Sequence, residues 1–171
     1  STKFKIRWET MTDIFNTAAV QASGISAGHP LAVILSSLDD ILIMTEQAYD
    51  ATLKPDNPGG ISHGERAALC CRMARLNGEA ALAKHFAGLM SDEDANIADL
   101  NFYGDGDARL AAIIGHTDLV TGDTKSVVAG DIDALKSAGI SEDDIVRLSE
   151  LIAFASYQIR LTIGLRLMGE V

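Results

Sequence analysis

Cysteine and proline are scarce in this chain, which has two cysteines and three prolines among 171 residues. The cysteines are adjacent, Cys70 and Cys71, and such a pair cannot supply the disulfide framework of a small secreted domain. Few prolines and a hydrophobic content of 47% allow a sizeable core. We expect one compact domain, or two small halves sharing a core, in a reducing, cytoplasmic setting.

Basic residues and long apolar runs are also in short supply. Fourteen lysines and arginines stand against 24 acidic residues, which gives a net charge of −10, and the basic residues form no run. A nucleic-acid partner, bound through its phosphates, is therefore not expected. The longest aliphatic run, Leu31–Leu35, is far too short to span a bilayer, and the N-terminus lacks a signal-peptide core. We also expect no membrane partner.

Alternating β-branched runs with hairpin turns are absent, so the sequence predicts an all-α fold. A first helix is predicted over Trp8–Ala22, ended by Ser23-Gly24. A longer amphipathic helix is predicted over Leu31–Thr52, with Asp39, Asp40 and Glu46 on its outer face. Its apolar stripe comprises Leu31, Leu35, Leu38, Leu42, Thr45, Tyr49 and Thr52, with Ile34, Ile41 and Ala48 beside it.

The residues from Gly60 to Met90 predict two helices joined by a tight turn. Ser62 and Glu65 form a capping box, which starts the first helix near His63. Asn77-Gly78 ends it, because glycine tolerates positive φ. Glu79 then opens the second helix, where a negative charge is favourable.

This stretch resembles the core motif of the carboxymuconolactone decarboxylase / alkylhydroperoxidase D family. The shared residues are Ser62, Glu65-Arg66, Ala74, Leu76-Asn77-Gly78 and a histidine a few residues into the next helix. The resemblance implies an alkylhydroperoxidase D-like helical bundle with internally related halves, assembled as a homo-oligomer. Its peroxidatic members use a glutamate in the first helix and a Cys-x-x-Cys followed by histidine in the second.

The chain departs from that peroxidatic pattern at every position. With the Asn77-Gly78 turn aligned, Ala67 falls at the glutamate position and Glu65 lies two residues earlier. Glu79 and Leu82 stand at the two cysteine positions. Phe86 falls at the histidine position, one residue after His85. The resemblance therefore supports the scaffold and argues against dithiol peroxidase chemistry.

The C-terminal part repeats the capping pattern. Gly139–Asp144 echoes Gly60–Glu65, again with a serine followed by an acid three residues later. No turn follows, so one long helix is predicted to about Met168. The Pro- and Gly-rich break at 54–60 predicts an N-terminal helical arm, 1–59, and a helical core, 60–171.

Between these parts, three shorter elements are predicted. Ser91 and Asp94 should cap a short helix that runs to about Leu100. Asp105-Gly106-Asp107 resembles the start of a calcium loop, but the ligand spacing does not continue, so a turn and helix cap are expected. A helix should follow over Ala108–Thr121, and one or two short helices over Lys125–Ser137. No metal or cofactor is predicted, since the histidines lack metal-ligand spacing.

Three residues are candidates for acid–base catalysis. Glu79, at a position where the family carries its chemistry, is either a buried acid in an apolar pocket or a solvated helix-end charge. His85 is either a displaced version of the family histidine, an interior or oligomer contact, or a surface residue. Glu65 is the third candidate.

Other reactive or charged side chains are expected to be structural. Cys70 and Cys71 lie in mid-helix, where two small core residues are favoured over a reactive thiol. Arg66, Arg72, Arg75 and Arg160 favour interhelical ion pairs, with Glu65 and Glu150 as partners.

Three functions remain open. The first is acid–base chemistry on a small organic acid, as in the decarboxylase branch, with an arginine holding the carboxylate. The second is a non-catalytic helical oligomer or small-ligand-binding module, favoured by Leu82 and Phe86. The third is a peroxidase that uses Cys70 or Cys71.

Overall fold

The computed structural model describes residues 13–170, and all regular elements in that part of the chain are helical. The all-α prediction is confirmed. The α-helices are α1 (Ala18–Ser23), α2 (Ala32–Ser36), α3 (Asp39–Leu53), α4 (His63–Leu76), α5 (Ala80–Ala87), α6 (Ala108–Gly122), α7 (Ala129–Ser137) and α8 (Glu142–Gly169). Short 3₁₀ turns lie at Ile14–Asn16, Ala95–Ala98 and Thr124–Ser126.

Helix α4 is the centre of the fold, with every residue from 66 to 74 buried. It begins with the predicted capping box. The Ser62 hydroxyl accepts from the Glu65 N–H at 3.1 Å, and the Glu65 carboxylate accepts from the Ser62 N–H at 2.8 Å. Helices α5, α6 and α8 and the turn at Ala95–Ala98 surround α4, which explains its small and apolar sequence.

The α4–α5 turn also forms where the sequence predicts it. Helix α4 ends at Leu76, and Gly78 takes a φ of +71°. The Glu79 N–H reaches back to the Ala74 carbonyl at 2.9 Å, so the turn reverses the chain within three residues. Glu79 then precedes α5 as its N-cap residue.

Helix α8, with 28 residues, confirms the predicted long C-terminal helix. Its first turn is capped by Ser141, whose hydroxyl accepts from the Asp144 N–H at 3.2 Å. The two similar caps meet in space, because Asp144 Oδ1 accepts from the Gly60 N–H at 2.9 Å. The alkylhydroperoxidase D-like arrangement of related halves stays a prediction.

The single helix predicted over Leu31–Thr52 is wrong, because the chain breaks into α2 and α3. Ser37 donates its hydroxyl to the Ile34 carbonyl at 2.6 Å, which competes with continuation of the helix. Leu35, Leu42, Thr45 and Tyr49 of the stripe are buried, but Ile34 and Ile41 are exposed. Glu46, expected outside, is half-buried and has its Oε2 closed off from solvent.

The short helix predicted to Leu100 is also wrong, since only the 3₁₀ turn Ala95–Ala98 forms. Arg72 of α4 donates to the carbonyls of Ile97, Leu100 and Phe102 at 3.2–3.4 Å. These carbonyls belong to the end of the predicted helix and to the loop after it, and a buried arginine satisfies them instead. Asp107 caps α6 as expected, accepting from the Leu110 N–H at 2.9 Å.

Residues 13–59 pack directly onto the rest of the chain. A small cluster joins Val20 of α1 and Leu42 of α3 to Leu165 of α8. The helix predicted over Trp8–Ala22 is shorter: α1 starts at Ala18 and ends before Gly24, at φ +84°. The part of that prediction before residue 13 lies outside the described residues. Within 13–170, no helix is both long and apolar enough to cross a membrane.

Candidate functional site

Glu79 is buried against α8. Its side chain is 5% exposed, and Arg166 of α8 binds both carboxylate oxygens. Arg166 Nη1 donates to Oε1 at 3.0 Å, and Nη2 donates to Oε2. This hydrogen bond raises the pKa of Arg166 above its usual value. Glu79 is therefore neither a solvated helix-end charge nor an isolated acid, but half of a bidentate ion pair joining α5 to α8.

Arg166 was not among the partners expected from the sequence. The available signal was the period of α8, where Ile159, Thr162 and Arg166 follow one another on a single face. Ile159 and Thr162 are buried, which directs the next turn of that face inward. An arginine on such a face needs a carboxylate from another helix.

His85 forms a hydrogen-bonded pair with Tyr49 of α3. The His85 Nε2 and Tyr49 Oη atoms are 2.6 Å apart, and the two rings meet edge to face. Burial lowers the pKa of His85, and the nearby charge of Lys54 adds to this effect. Burial and the charge of Glu46 raise the pKa of Tyr49. Both side chains are therefore favoured in their neutral forms at neutral pH.

A cavity of about 340 Å³ lies beside this pair, between α1 and α5. It is lined by Ala18, Gln21, Ala22, Ala81, Lys84 and His85. The small side chains of the three alanines leave room for a ligand. Lys84 adds a positive charge and Gln21 an amide group. His85 Nδ1 makes no hydrogen bond within residues 13–170, so it remains available for one.

Glu46 places a carboxyl group close to the Tyr49–His85 pair. Burial raises its pKa, the charge of Asp50 adds to the rise, and a hydrogen bond from the Ala18 backbone opposes it. Its Oε2 atom is buried without a hydrogen-bond partner. Its position in the sequence could have indicated this burial, because Glu46 lies one turn before Tyr49 and directly after Thr45, which are both buried.

Glu65 lies far from Glu79. Glu65 lies in the first turn of α4, where its carboxylate accepts from the Ser62 N–H and forms an ion pair with Arg109 at 2.8 Å. Glu79 follows the other end of α4, a helix of 14 residues that spans about 21 Å at 1.5 Å per residue. The structure does not bring these two carboxylates together.

The structure does not bring Glu79 and His85 together either. The cavity lined by His85 does not include Glu79. Of the three sequence candidates, His85 alone is placed on this cavity, while the two glutamates are engaged in ion pairs.

The two cysteines are closed off from solvent. Cys70 and Cys71 are both 0% exposed, and burial raises the pKa of each thiol. The Cys71 thiol donates to the Ala83 carbonyl at 3.3 Å. Leu82 and Phe86, at the family's cysteine and histidine positions, are fully buried in the core. A thiolate nucleophile is disfavoured in this environment.

The arginine partners expected from the sequence are wrong. Arg66 is held by the carbonyls of Ile61, Thr52 and Pro58 at 2.9–3.0 Å rather than by Glu65 or Glu150. Burial lowers the pKa of the Arg66 guanidinium, and the nearby positive charge of Arg147 lowers it further. These carbonyls fix the loop between α3 and α4.

Buried Arg72 does form an ion pair, with the partly exposed Asp118 of α6. The two oxygens of Asp118 accept from Arg72 Nε and Nη2 at 2.6 and 2.7 Å. The pair joins α4 to α6, as the expectation of structural ion pairing implies.

Within residues 13–170, no group of three or more His, Cys, Asp or Glu side chains could hold a metal ion. No family model, no curated protein and no solved structure matches the chain. Function is therefore inferred from the geometry of the site and from the resemblance in the α4–α5 region.

Proposed function

We propose that this chain binds a small organic acid in the cavity beside His85 and that His85 exchanges a proton with it. The observation that carries the proposal is the 2.6 Å hydrogen bond between His85 and Tyr49 at the edge of a cavity that also contains Lys84. Lys84 attracts the carboxylate, and the alanines of α1 and α5 accommodate a small apolar body.

Proton transfer follows from the two nitrogens of His85. When the Tyr49 hydroxyl donates to Nε2, the neutral ring carries its proton on Nδ1 and acts as an acid. When Nε2 donates to the tyrosine oxygen, Nδ1 is free to accept a proton and acts as a base. The hydrogen bond thus supports both directions, since a pKa below the usual 6.5 keeps the free ring neutral at neutral pH.

Glu79 has a positioning role in this proposal. Its ion pair with Arg166 holds the first turn of α5 against α8, and His85 follows on the same helix. Glu65 acts similarly at the far end of α4, through Arg109. The resemblance to the decarboxylase branch, which works without paired cysteines, agrees with acid–base rather than thiol chemistry. It also leads us to propose a homo-oligomer.

A non-catalytic module is the second candidate, because Leu82 and Phe86 fill the positions of the family's reactive side chains. In that case the cavity would bind a ligand without proton exchange, or serve only packing. Saturable binding of an acid that leaves the pKa of His85 unchanged would favour this module over the first candidate.

The test is a titration of the ¹⁵N-labelled chain with a panel of small carboxylic acids, followed by NMR. The proposal expects saturable shifts at Ala18, Ala81 and Lys84, weakened about tenfold by Lys84→Gln, which corresponds to roughly 1.4 kcal/mol. His63→Gln, an exposed histidine bonded to the Pro55 carbonyl at 2.9 Å, is the control. If neither Lys84→Gln nor His85→Gln changes the chemical-shift titration, this site is refuted.

A further inference from the structure

His116 of α6 is a buried histidine without a partner. Its residue exposure is 9%, and its Nδ1 atom is closed off without a hydrogen bond. Burial lowers its pKa, while the charge of Asp131 opposes this. A buried N–H without a partner is rarer than a buried lone pair without one, so we place the proton of the neutral ring on Nε2. In this form Nε2 is the ring atom that can donate to a ligand.

Two cavities flank His116, and their chemistry differs. One, of about 240 Å³, lies toward α7 and has Asp131 among mainly apolar side chains. The other, of about 310 Å³, lies between α6 and α8 and has Arg160 as its charged residue. An anion would be repelled by Asp131 in the first and attracted by Arg160 in the second.

The second cavity is lined by one face of α8. Ser149, Ile152, Ser156 and Arg160 recur at the helical spacing of three, four and four residues. Ile152 and the small Ala153 beside it provide an apolar floor. Val120 and Thr124, one turn apart, close the cavity from the side of α6.

Some polar side chains of this cavity are bonded to the backbone, and others have no hydrogen-bond partner. Within residues 13–170, Arg160 forms no ion pair, and neither its guanidinium nor the Ser156 hydroxyl makes a hydrogen bond. Ser149 donates to the Ile145 carbonyl at 2.8 Å, and Thr124 donates to the Val120 carbonyl at 2.7 Å. Within residues 13–170, Arg160, Ser156 and His116 thus line this cavity without a hydrogen-bond partner of their own.

We propose that the cavity between α6 and α8 binds a small carboxylate ligand, with its acidic group on Arg160, His116 and Ser156 and its apolar body on Ile152. The planar guanidinium forms two parallel hydrogen bonds with a carboxylate, which gives the orientation. The volume, at the lower end of the range for ligand sites, limits the ligand to a small molecule. This site is separate from the cavity of His85, which is built by α1 and α5.

The probe is benzoate, a carboxylate with a compact apolar ring, titrated into the full ¹⁵N-labelled chain. The proposal expects saturable shifts at Ser149, Ile152 and the Arg160 Nε–H. Arg160→Gln should weaken this binding at least tenfold. Because Arg160 is exposed, this variant is expected to fold, whereas His116→Gln serves as a second variant if its fold is kept. Lys125→Gln removes a neighbouring exposed charge and should leave binding unchanged.

The outcomes separate this site from the proposed function. Shifts confined to the His85 cavity and abolished by Lys84→Gln would overturn the second site while supporting the first. If Arg160→Gln and Lys125→Gln lose the same amount of benzoate affinity, the binding depends only on overall charge, and the second site is overturned. The second site would also be overturned if benzoate gave no saturation at about 10 mM, where a site with a Kd near 1 mM is almost filled. Inorganic phosphate distinguishes carboxylate geometry from any anion: stronger binding of phosphate than of benzoate would contradict the apolar floor.

Discussion

At the scale of single residues, burial decides what a charged group contributes. Glu79 and Arg166 illustrate this, because the carboxylate is nearly closed off while the guanidinium side chain is 37% exposed. Removing the arginine strands a buried charge, but removing the carboxylate leaves a cation that can turn to solvent. The two halves of one ion pair should therefore differ in cost.

Arg166→Met should lower the free energy of unfolding by about 2–3 kcal/mol, and Glu79→Gln by about 1 kcal/mol. Urea unfolding of both variants and of the double variant measures this. The double variant should recover part of the loss of Arg166→Met, because no charge is then stranded. Lys136→Gln, in an exposed pair with Glu142, should be close to wild type. Equal, small losses in both single variants would show that Glu79 is solvated.

The cysteines give a second prediction at this scale. Since burial raises both thiol pKa values, neither should form a reactive thiolate in the folded chain. An aromatic disulfide reagent should react with both thiols quickly in urea and very slowly without it. Peroxide turnover with a dithiol reductant should be absent. Turnover that disappears in Cys70→Ser or Cys71→Ser would contradict this account.

At the scale of helices and turns, the α4–α5 junction depends on backbone conformation rather than packing. Gly78 has a φ of +71°, and a Cβ built there meets nothing within 4 Å. Gly78→Ala should therefore cost about 1 kcal/mol from the left-handed conformation alone, and Gly78→Val more.

A matched control exists on α7. Gly130 lies inside the helix with no positive φ, and its Cβ position is equally open. Gly130→Ala should raise the free energy of unfolding by about 0.5–1 kcal/mol, the opposite sign. Thermal or urea unfolding measures both changes, and a Gly78→Ala variant as stable as wild type would show that the turn tolerates an ordinary residue.

Helix caps and turns that depend on residues close together in the sequence could be predicted. Contacts between residues far apart in the sequence could not. The caps at Ser62 and Ser141 and the turn at Gly78 depend on residues within a few positions, so their patterns sufficed. The segment after Ser91 could not be predicted in the same way, because carbonyls at its end bind Arg72, which lies about twenty residues earlier in the chain.

The site follows the same division. His85 could be selected by its position after the turn, but nothing local connects it with Tyr49, which lies 36 residues earlier and resembles any other member of an apolar stripe. Glu79 and Arg166 are 87 residues apart, and only the folded chain, in which Glu79 meets the end of α8, reveals the pair. The sequence thus indicated positions of interest but not their partners.

At the scale of the whole molecule, an exposed apolar face on α2 and α3 supports self-association. Val33, Ile34, Leu38, Ile41 and Met44 are 42–81% exposed there. Such a face favours an interface between copies of a protein. Light scattering should give a mass above that of one chain at micromolar concentration. Ile34→Lys with Met44→Lys should shift the mass toward one chain, while Val146→Lys, on α8, should not. A single-chain mass for wild type would contradict the prediction.

The central claim, a small acid held against His85, is tested most directly by the pKa of that histidine, followed by its NMR signals with and without a bound acid. The free chain should show His85 below 6.5, because burial disfavours the charged ring. A bound carboxylate favours the charged ring, so the pKa should rise, and by linkage binding should strengthen as pH falls between the two values. The control His63 should not respond. A ligand that saturates the chain yet leaves the pKa of His85 unchanged would contradict the account.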